Sequence, residues 1–461
     1  MHIVGLAQPT ANKQGARIII MNYQELSEIE KSHIWHPFTQ MKDWEAEDPL
    51  FIERGEGVKL YGSDGRAYYD ANSSMWLNVH GHARPEIDRA VVRQLGKVAH
   101  STMLGLTHEP GALLAERLTE IAPPSLRKVF YSDDGSTAVE VAIKMAYQYW
   151  RHRGQNRRIY VAHAEGYHGD TMGAVSVGGV GRFHSIFRDL MFDCEIVPSP
   201  ARARTADDAA RKLEEVMSGY PGEISAVVVE PIVQMAGGVL ISPPGYLRRV
   251  RELCDRFDAL LIFDEVATGF GRTGKMFACQ LEEVAPDFLC LGKGMSGGYL
   301  PIAATLTTER IYDVFLGDYH DWKQFTHGHS YTGNPLACAA SLANLDIFAN
   351  DDVLEKLPLK IEIVRKRLEE IRRLGHVGEI RQCGLLVGIE LVKDKKTGEP
   401  YPFEASIGVK VCRRARDLGL ITRPLGNVIT FVPPLSSTEP ELTDMLSIIG
   451  RAIDDITSDR P

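Results

Sequence analysis

Leu260-Leu261-Ile262-Phe263-Asp264-Glu265-Val266-Ala267-Thr268-Gly269-Phe270-Gly271-Arg272-Thr273-Gly274 is the stretch on which the fold turns. Four apolar residues run into an acid, and a glycine-rich loop follows. Unbroken apolarity over so short a run suits a strand buried on both faces of a mostly parallel sheet. Asp264 then falls where that strand leaves the sheet, at the edge where open α/β sheets bind ligands. A carboxylate there is costly unless paired. It can hold a protonated heteroaromatic nitrogen. A metal ligand or a helix cap would use the same residue type.

Downstream, Asp287–Leu300 (DFLCLGKGMSGGYL) repeats the pattern with a lysine. Lys293 follows the run Phe288–Leu291 and stands between Gly292 and Gly294. Glycines on both sides let a bulky group approach the backbone. A partly desolvated lysine has a lowered pKa and can form a Schiff base, whereas a solvated one is only surface charge. Upstream, Lys128–Tyr131 reads as a strand and Ser136–Trp150 as a helix, with Val139, Ile143, Ala146 and Tyr147 at helical spacing. The link between them, Ser132-Asp133-Asp134-Gly135-Ser136-Thr137, offers N–H groups and hydroxyls to an anion such as phosphate. Ser136 serving as an N-cap, with Glu140 in the first turn, accounts for the same residues.

Further strands are expected at Arg158–Ala162 and Ala226–Glu230, and a helix at Tyr246–Phe257. This alternation predicts an α/β layered domain with right-handed crossovers. The ends read differently. Gly57–Asp70 contains the turn signal Ser63-Asp64-Gly65 between two strand-like pieces, a hairpin. Leu385–Leu391 and Val428–Phe431 read as strands, Ala405–Leu418 and Glu439–Ile456 as helices. The expected organisation is a large α/β domain over residues 81–345 and a smaller α+β domain built from 22–80 and 346–461. Residues 1–21 form an extension, with Met21 as the start; a transit peptide is the other reading of that segment.

Composition narrows the function classes. With 461 residues, 44% hydrophobic and 25% charged, the chain has ordinary globular values and length for two or three domains. A net charge of -9 argues against a dedicated nucleic-acid binder. No run of about 20 apolar residues suggests a membrane span. The seven cysteines, at 194, 254, 279, 290, 338, 383 and 412, include no C-x-x-C pair. They fit free thiols in the cytoplasm better than a disulfide frame or a zinc site. His80-x-His82 and His327-x-His329 lack the acids or cysteines that would complete a metal-ligand set.

Phosphate-ready loop, strand-end Asp264 and glycine-flanked Lys293, in that order on one α/β domain, resemble the pyridoxal-phosphate signature of the class III aminotransferases, of fold type I. The resemblance runs over essentially the whole chain after residue 22. It implies pyridoxal 5'-phosphate as cofactor, a Schiff base at Lys293, pairing of Asp264 with the pyridine nitrogen, and Gly135 and Ser136 on the phosphate. His33-Ile34-Trp35-His36-Pro37-Phe38-Thr39-Gln40-Met41, Asn78-Val79-His80-Gly81-His82, Gly166-Tyr167-His168-Gly169-Asp170-Thr171 and Thr422-Arg423-Pro424 are similar to the biotin-pathway branch. Enzymes of that branch convert 8-amino-7-oxononanoate to 7,8-diaminononanoate.

That likeness implies further roles. Tyr167 would stack on the cofactor ring, Asp170 would be an active-site acid, and Arg423 would fork onto the substrate carboxylate. A core tyrosine, a helix cap and a surface arginine are their plainer readings. His327-Gly328-His329-Ser330 would reach the cofactor phosphate of a neighbouring subunit, with Ser330 where the family usually has threonine, so a homodimer with shared sites is implied. In the substrate pocket, Trp76 is kept. Phe38, Met75 and Thr430 replace the tyrosine, tryptophan and tyrosine of the forms that use S-adenosylmethionine. Either S-adenosylmethionine or L-lysine is therefore expected as amino donor. A different class III activity, an ω-amino acid transaminase or aminomutase, is the nearest alternative. A non-catalytic pyridoxal-phosphate-binding regulator is a remoter one.

Overall fold

A computed structural model describes residues 22–458. The contacts divide it into two units: one runs up to Glu53 and takes in Tyr61–Arg66, and the other holds Arg54–Leu60 and the chain from Ala67 onward. The expected extension at 1–21 lies outside the described residues.

In the first unit, the helix Tyr23–His33 opens with a reciprocal cap: Glu25 N–H donates to Asn22 Oδ1 and Asn22 N–H to Glu25 Oε2, both at 3.0 Å. Glu30 is buried and is satisfied by His36 and by Trp44 Nε1 at 3.1 Å. The turn at Asp64–Gly65 closes as the sequence predicts, with Gly62 N–H donating to Arg66 O at 3.0 Å. Phe38 is 53% exposed.

The second unit is built on a seven-stranded sheet, in the order Leu126–Ser132, Ala303–Thr308, Phe288–Leu291, Leu260–Asp264, Ile224–Val229, Ile159–His163 and Cys194–Val197. Ala303–Thr308 runs antiparallel to both its neighbours, and the other pairs are parallel. Period-2 alternation sends the two sides of one strand into two cores. Leu260 and Ile262 pack with Val139, Ala142, Ala146 and Trp150 of the helix Gly135–His152. Leu261 and Phe263 pack with Leu247, Val250 and Cys254 of the helix Tyr246–Arg256. Both helices and every strand of the central pattern fall within two residues of their expected places.

A smaller sheet carries Val377–Cys383, Leu386–Asp394, Val428–Phe431 and Pro424–Leu425 in that order. The helices Ile407–Asp417 and Glu439–Thr457 accompany it. Leu420–Ile421 pairs in parallel with the early strand Ala67–Asp70, Ile421 opposite Asp70. An early and a late chain segment therefore pair in a sheet separate from this one. Among the described residues, no helix is long and apolar enough to cross a membrane.

Candidate active site

A cavity of about 770 Å³ opens where the parallel strands end. Five strands each deliver one piece of its wall at or shortly after their last residue. Leu126–Ser132 leads to Asp133–Ser136, Ile159–His163 to Tyr167 and His168, Ile224–Val229 to Glu230, Leu260–Asp264 ends in Asp264, and Phe288–Leu291 leads to Lys293. Parallel strands share a direction, so residues far apart in sequence converge at one edge.

Lys293 has φ +41°, a left-handed conformation that is strained for a side-chain-bearing residue. Its Nζ stands 5.0 Å from the centre of the Trp76 ring. Burial lowers its pKa, and the Asp264 and Glu230 carboxylates oppose that in part. The flanking glycines do more than clear space for a ligand. A Cβ at Gly292 would lie 3.3 Å from the Gly135 backbone, and one at Gly294 would lie 3.0 Å from Phe270 Cβ. Gly292 lets the lysine loop sit directly against the start of the helix Gly135–His152, and Gly294 lets it pack on Phe270 and Val79.

Asp264 is 4% exposed and fully engaged. Its Oδ1 accepts from Val266 N–H at 3.0 Å, and its Oδ2 lies 2.8 Å from His168 Nδ1. Burial pulls the His168 pKa down, but the hydrogen bond and charge of Asp264 pull it up further, so its net shift is upward. Glu230 lies alongside, accepting from Tyr167 N–H at 3.0 Å and Met235 N–H at 2.9 Å. Burial pushes its carboxyl up to about 7. Glu265 is spent on the loop itself, accepting from the N–H groups of Ala278 and Cys279 and from the Thr268 hydroxyl.

At the anion end, the cap of the helix Gly135–His152 is Asp134, which accepts from Thr137 N–H at 2.9 Å. Ser136 is therefore not the cap. Its Oγ lies 2.8 Å from Thr171 Oγ1 and accepts from Thr171 N–H. This holds the Tyr167–Thr171 loop against the helix start. Asp170 is not a cap either: Tyr167 OH donates to its Oδ2 at 2.7 Å, and Thr171 occupies the N-cap position of the next helix. Tyr167 is a wall residue with one face stacked on His184, ring centres 5.9 Å apart and 18° between planes.

Trp76 lines the cavity, whereas Met75 and Arg423 sit beside it. Arg423 Nη1 donates to Met75 Sδ at 3.3 Å. Burial lowers the Arg423 pKa. Thr430 departs from expectation. It is wholly buried in the strand Val428–Phe431 and donates to Arg423 O at 2.7 Å. Thr430 thus supports Arg423 from below and presents nothing to a ligand. Phe38 belongs to the other unit. Gly328 and Ser330 are exposed and take no part in this chain's cavity wall. Their neighbour His329 has Nδ1 3.1 Å from Asp133 Oδ2.

Three residues of this site escaped the sequence reading. His168 was visible only as part of a motif. Glu230 looked like a break in an apolar run, although an acid at a buried strand end is the same signal that singled out Asp264. The third is Asp70, which holds the turn carrying Trp76. Among the described residues, no group of three or more His, Cys, Asp or Glu could hold a metal ion.

The donor set fits pyridoxal phosphate: N–H groups and hydroxyls at a helix start, a flat aromatic wall, a paired buried carboxylate and a desolvated amine share one cavity. A partly buried lysine and a buried acid in one cavity at the strand ends of such a sheet are the arrangement of a pyridoxal-phosphate enzyme. The chain belongs to the class III aminotransferases: that family's description, "Aminotransferase class-III", matches residues 41–453. Among its relatives is the adenosylmethionine-8-amino-7-oxononanoate aminotransferase of Geobacter sulfurreducens. The two are 48% identical over 445 residues, covering 94% of this chain and 98% of that protein. The solved structure of the enzyme so named from Methanocaldococcus jannaschii superposes with a TM-score of 0.92 at 45% identity, covering 95% of this chain and 100% of that one. An amine transaminase from an uncultivated Pseudomonas species, solved in its PLP-bound internal aldimine form, gives a TM-score of 0.87 at 36% identity, covering 92% and 98% of the two chains.

Proposed function

We propose that this enzyme transfers an amino group to the ketone of 8-amino-7-oxononanoate, giving 7,8-diaminononanoate in biotin biosynthesis, with pyridoxal 5'-phosphate as cofactor. The carrying observation is the Arg423–Met75 contact beside a cavity whose catalytic end holds Lys293 and Asp264. A guanidinium set to one side of the reacting groups suits a substrate whose carboxylate lies at the far end of an aliphatic chain. Identity of 44–50% to several enzymes named for this reaction supports the same reading.

When bound, pyridoxal phosphate supplies an electrophilic aldehyde carbon and a protonated ring that accepts electron density. Gly135 and Ser136 would hold its phosphate, Tyr167 would face its ring, and Asp264 would keep its ring nitrogen protonated. His168 holds the Asp264 carboxylate in place. Lys293 would supply the amine that holds the cofactor's aldehyde carbon, and its Nζ would move the proton at the amine-bearing carbon of the substrate. Its depressed pKa leaves more of the amine neutral near pH 7. Asp170 and Glu230 fix Tyr167 at its hydroxyl and at its backbone. Trp76 walls the aliphatic part of the ligand.

The enzyme works as a cytoplasmic homodimer in which Gly328 and Ser330 reach the neighbouring site. Exposed Leu104, Leu106, Tyr319, Trp322 and Tyr331 support an apolar interface. Seven unpaired cysteines support a reducing compartment.

S-adenosylmethionine is the donor that the relatives' names favour, and L-lysine is the second reading, resting on Met75 and Phe38. Mixing the yellow holoenzyme separately with each donor tests this. Bleaching of the visible band by S-adenosylmethionine alone establishes the first reading, and bleaching by lysine alone establishes the second. Transfer to generic amine acceptors, with 8-amino-7-oxononanoate ignored, would overturn the proposed substrate.

A further inference from the structure

We propose that Asp70 is a positioning residue: its carboxylate locks Ser73–Trp76 into one turn of left-handed helix, and that turn places Trp76 over Lys293 and Met75 against Arg423. The proposal rests on reading this cavity as the aminotransferase site.

Four consecutive residues, none of them glycine, have positive φ: Ser73 at 46°, Ser74 at 47°, Met75 at 80° and Trp76 at 70°. The run is a helical turn of the disfavoured hand, since Trp76 N–H donates to Asn72 O at 2.8 Å and Leu77 N–H to Ser73 O at 3.0 Å. Such backbone persists only where its surroundings over-determine it. Asp70 does so most directly. It has no exposed surface, its Oδ1 accepts from Ser74 N–H at 2.9 Å, and its Oδ2 accepts from Ser74 Oγ at 2.7 Å. His82 Nε2 is 3.0 Å from the same Oδ2, and His82 Nδ1 is 3.0 Å from Asn78 Nδ2.

The rest of the turn is pinned from other elements. Ser73 Oγ donates to Val432 O at 2.7 Å, and Trp76 Nε1 donates to Asn72 Oδ1 at 3.0 Å. Arg272, from the glycine-rich loop after Asp264, donates to Asn78 O at 2.8 Å. Ser74, the residue at the apex, is exposed, and the bonds drawn here tie it to Asp70. Loosening them frees the turn toward the ordinary right-handed hand. The side chains of Met75 and Trp76 would then swing away from Arg423 and Lys293.

The test compares wild type, Asp70→Asn, Ser74→Gly and the double variant as holoenzymes. Losing one charge-assisted hydrogen bond should raise KM for 8-amino-7-oxononanoate about tenfold in Asp70→Asn, with kcat within about threefold. Hydrogen exchange of the peptide spanning 71–78 should quicken about tenfold, with exchange elsewhere unchanged. Glycine pays no penalty for positive φ, which offsets the loss of the Ser74 Oγ bond to Asp70 while the backbone N–H bond stays, so Ser74→Gly should be near neutral alone and should restore most of the lost KM in the double variant. A purely structural acid would not be rescued in this way. Unchanged KM and unchanged exchange in Asp70→Asn, or a double variant no better than Asp70→Asn, would overturn the proposal. If the wild type fails to aminate this ketone, the substrate assignment falls instead, and the exchange comparison alone decides the turn.

Discussion

His168 Nδ1 lies 2.8 Å from Asp264 Oδ2, with both side chains buried in the cavity wall. The contact joins a loop after one parallel strand to the end of another, 96 residues apart in sequence. Its consequence is chemical. A carboxylate held on its far side by His168 and by Val266 N–H has its position fixed before any ligand arrives. It then meets a ring nitrogen without reorganisation.

Asp264→Asn should therefore cost on the order of a thousandfold in kcat, because a neutral amide cannot keep a ring nitrogen protonated. His168→Ala should cost less, about tenfold to a hundredfold, by loosening the carboxylate. Steady-state kinetics and cofactor titration by absorbance check the order. Equal losses in the two variants would place the histidine itself in the chemistry.

Lys293→Ala should abolish turnover and the visible band of the bound cofactor, since no other side chain described in the cavity wall offers an amine. Full activity in that variant would end the assignment.

Arg423→Ala should raise KM for 8-amino-7-oxononanoate roughly a hundredfold, the equivalent of about 3 kcal/mol for a forked charge-assisted pair. Substrates lacking the distal carboxylate should be unaffected. A uniform loss on both substrate types would mean that Arg423 acts through the fold, by way of its side-chain contact with Met75.

Glu230 sets a pH dependence. Its folded pKa is raised from 4.5 to about 7, so the native state holds a proton that the unfolded chain has already released. The stability this contributes is full below about pH 4.5 and is lost as pH rises through 7. Measured against Glu230→Gln, wild-type unfolding free energy should fall by up to about 3 kcal/mol over that window, at about 1.4 kcal/mol per pK unit. Denaturant melts of the apoprotein at several pH values read this directly. A difference that stays flat from pH 4.5 to 7.5 would rule it out.

The central sheet was legible in the sequence because its strands are buried on both faces and must be apolar throughout. Leu260–Phe263 and Phe288–Leu291 could be read as little else. Asp264 and Lys293 stood out for the complementary reason, as polar residues at the ends of such runs. Thr430 misled, since a position after Arg423 in sequence need not share its cavity: its strand is buried at every residue. Ala303–Thr308 gave no sign of running antiparallel, because direction depends on the length and path of the connection before it.

The sequence by itself determined five of the seven strands of the large sheet, that an acid and a lysine end two of them, and that the family is that of the class III aminotransferases. Tertiary structure alone decided that His168 backs Asp264, that Glu230 binds the backbone of Tyr167, and that Ser73–Trp76 winds left-handed under Asp70. The reason is physical. Burial leaves a periodic trace along the chain, whereas a hydrogen bond between side chains 96 residues apart, or a backbone held against its own preference, leaves none.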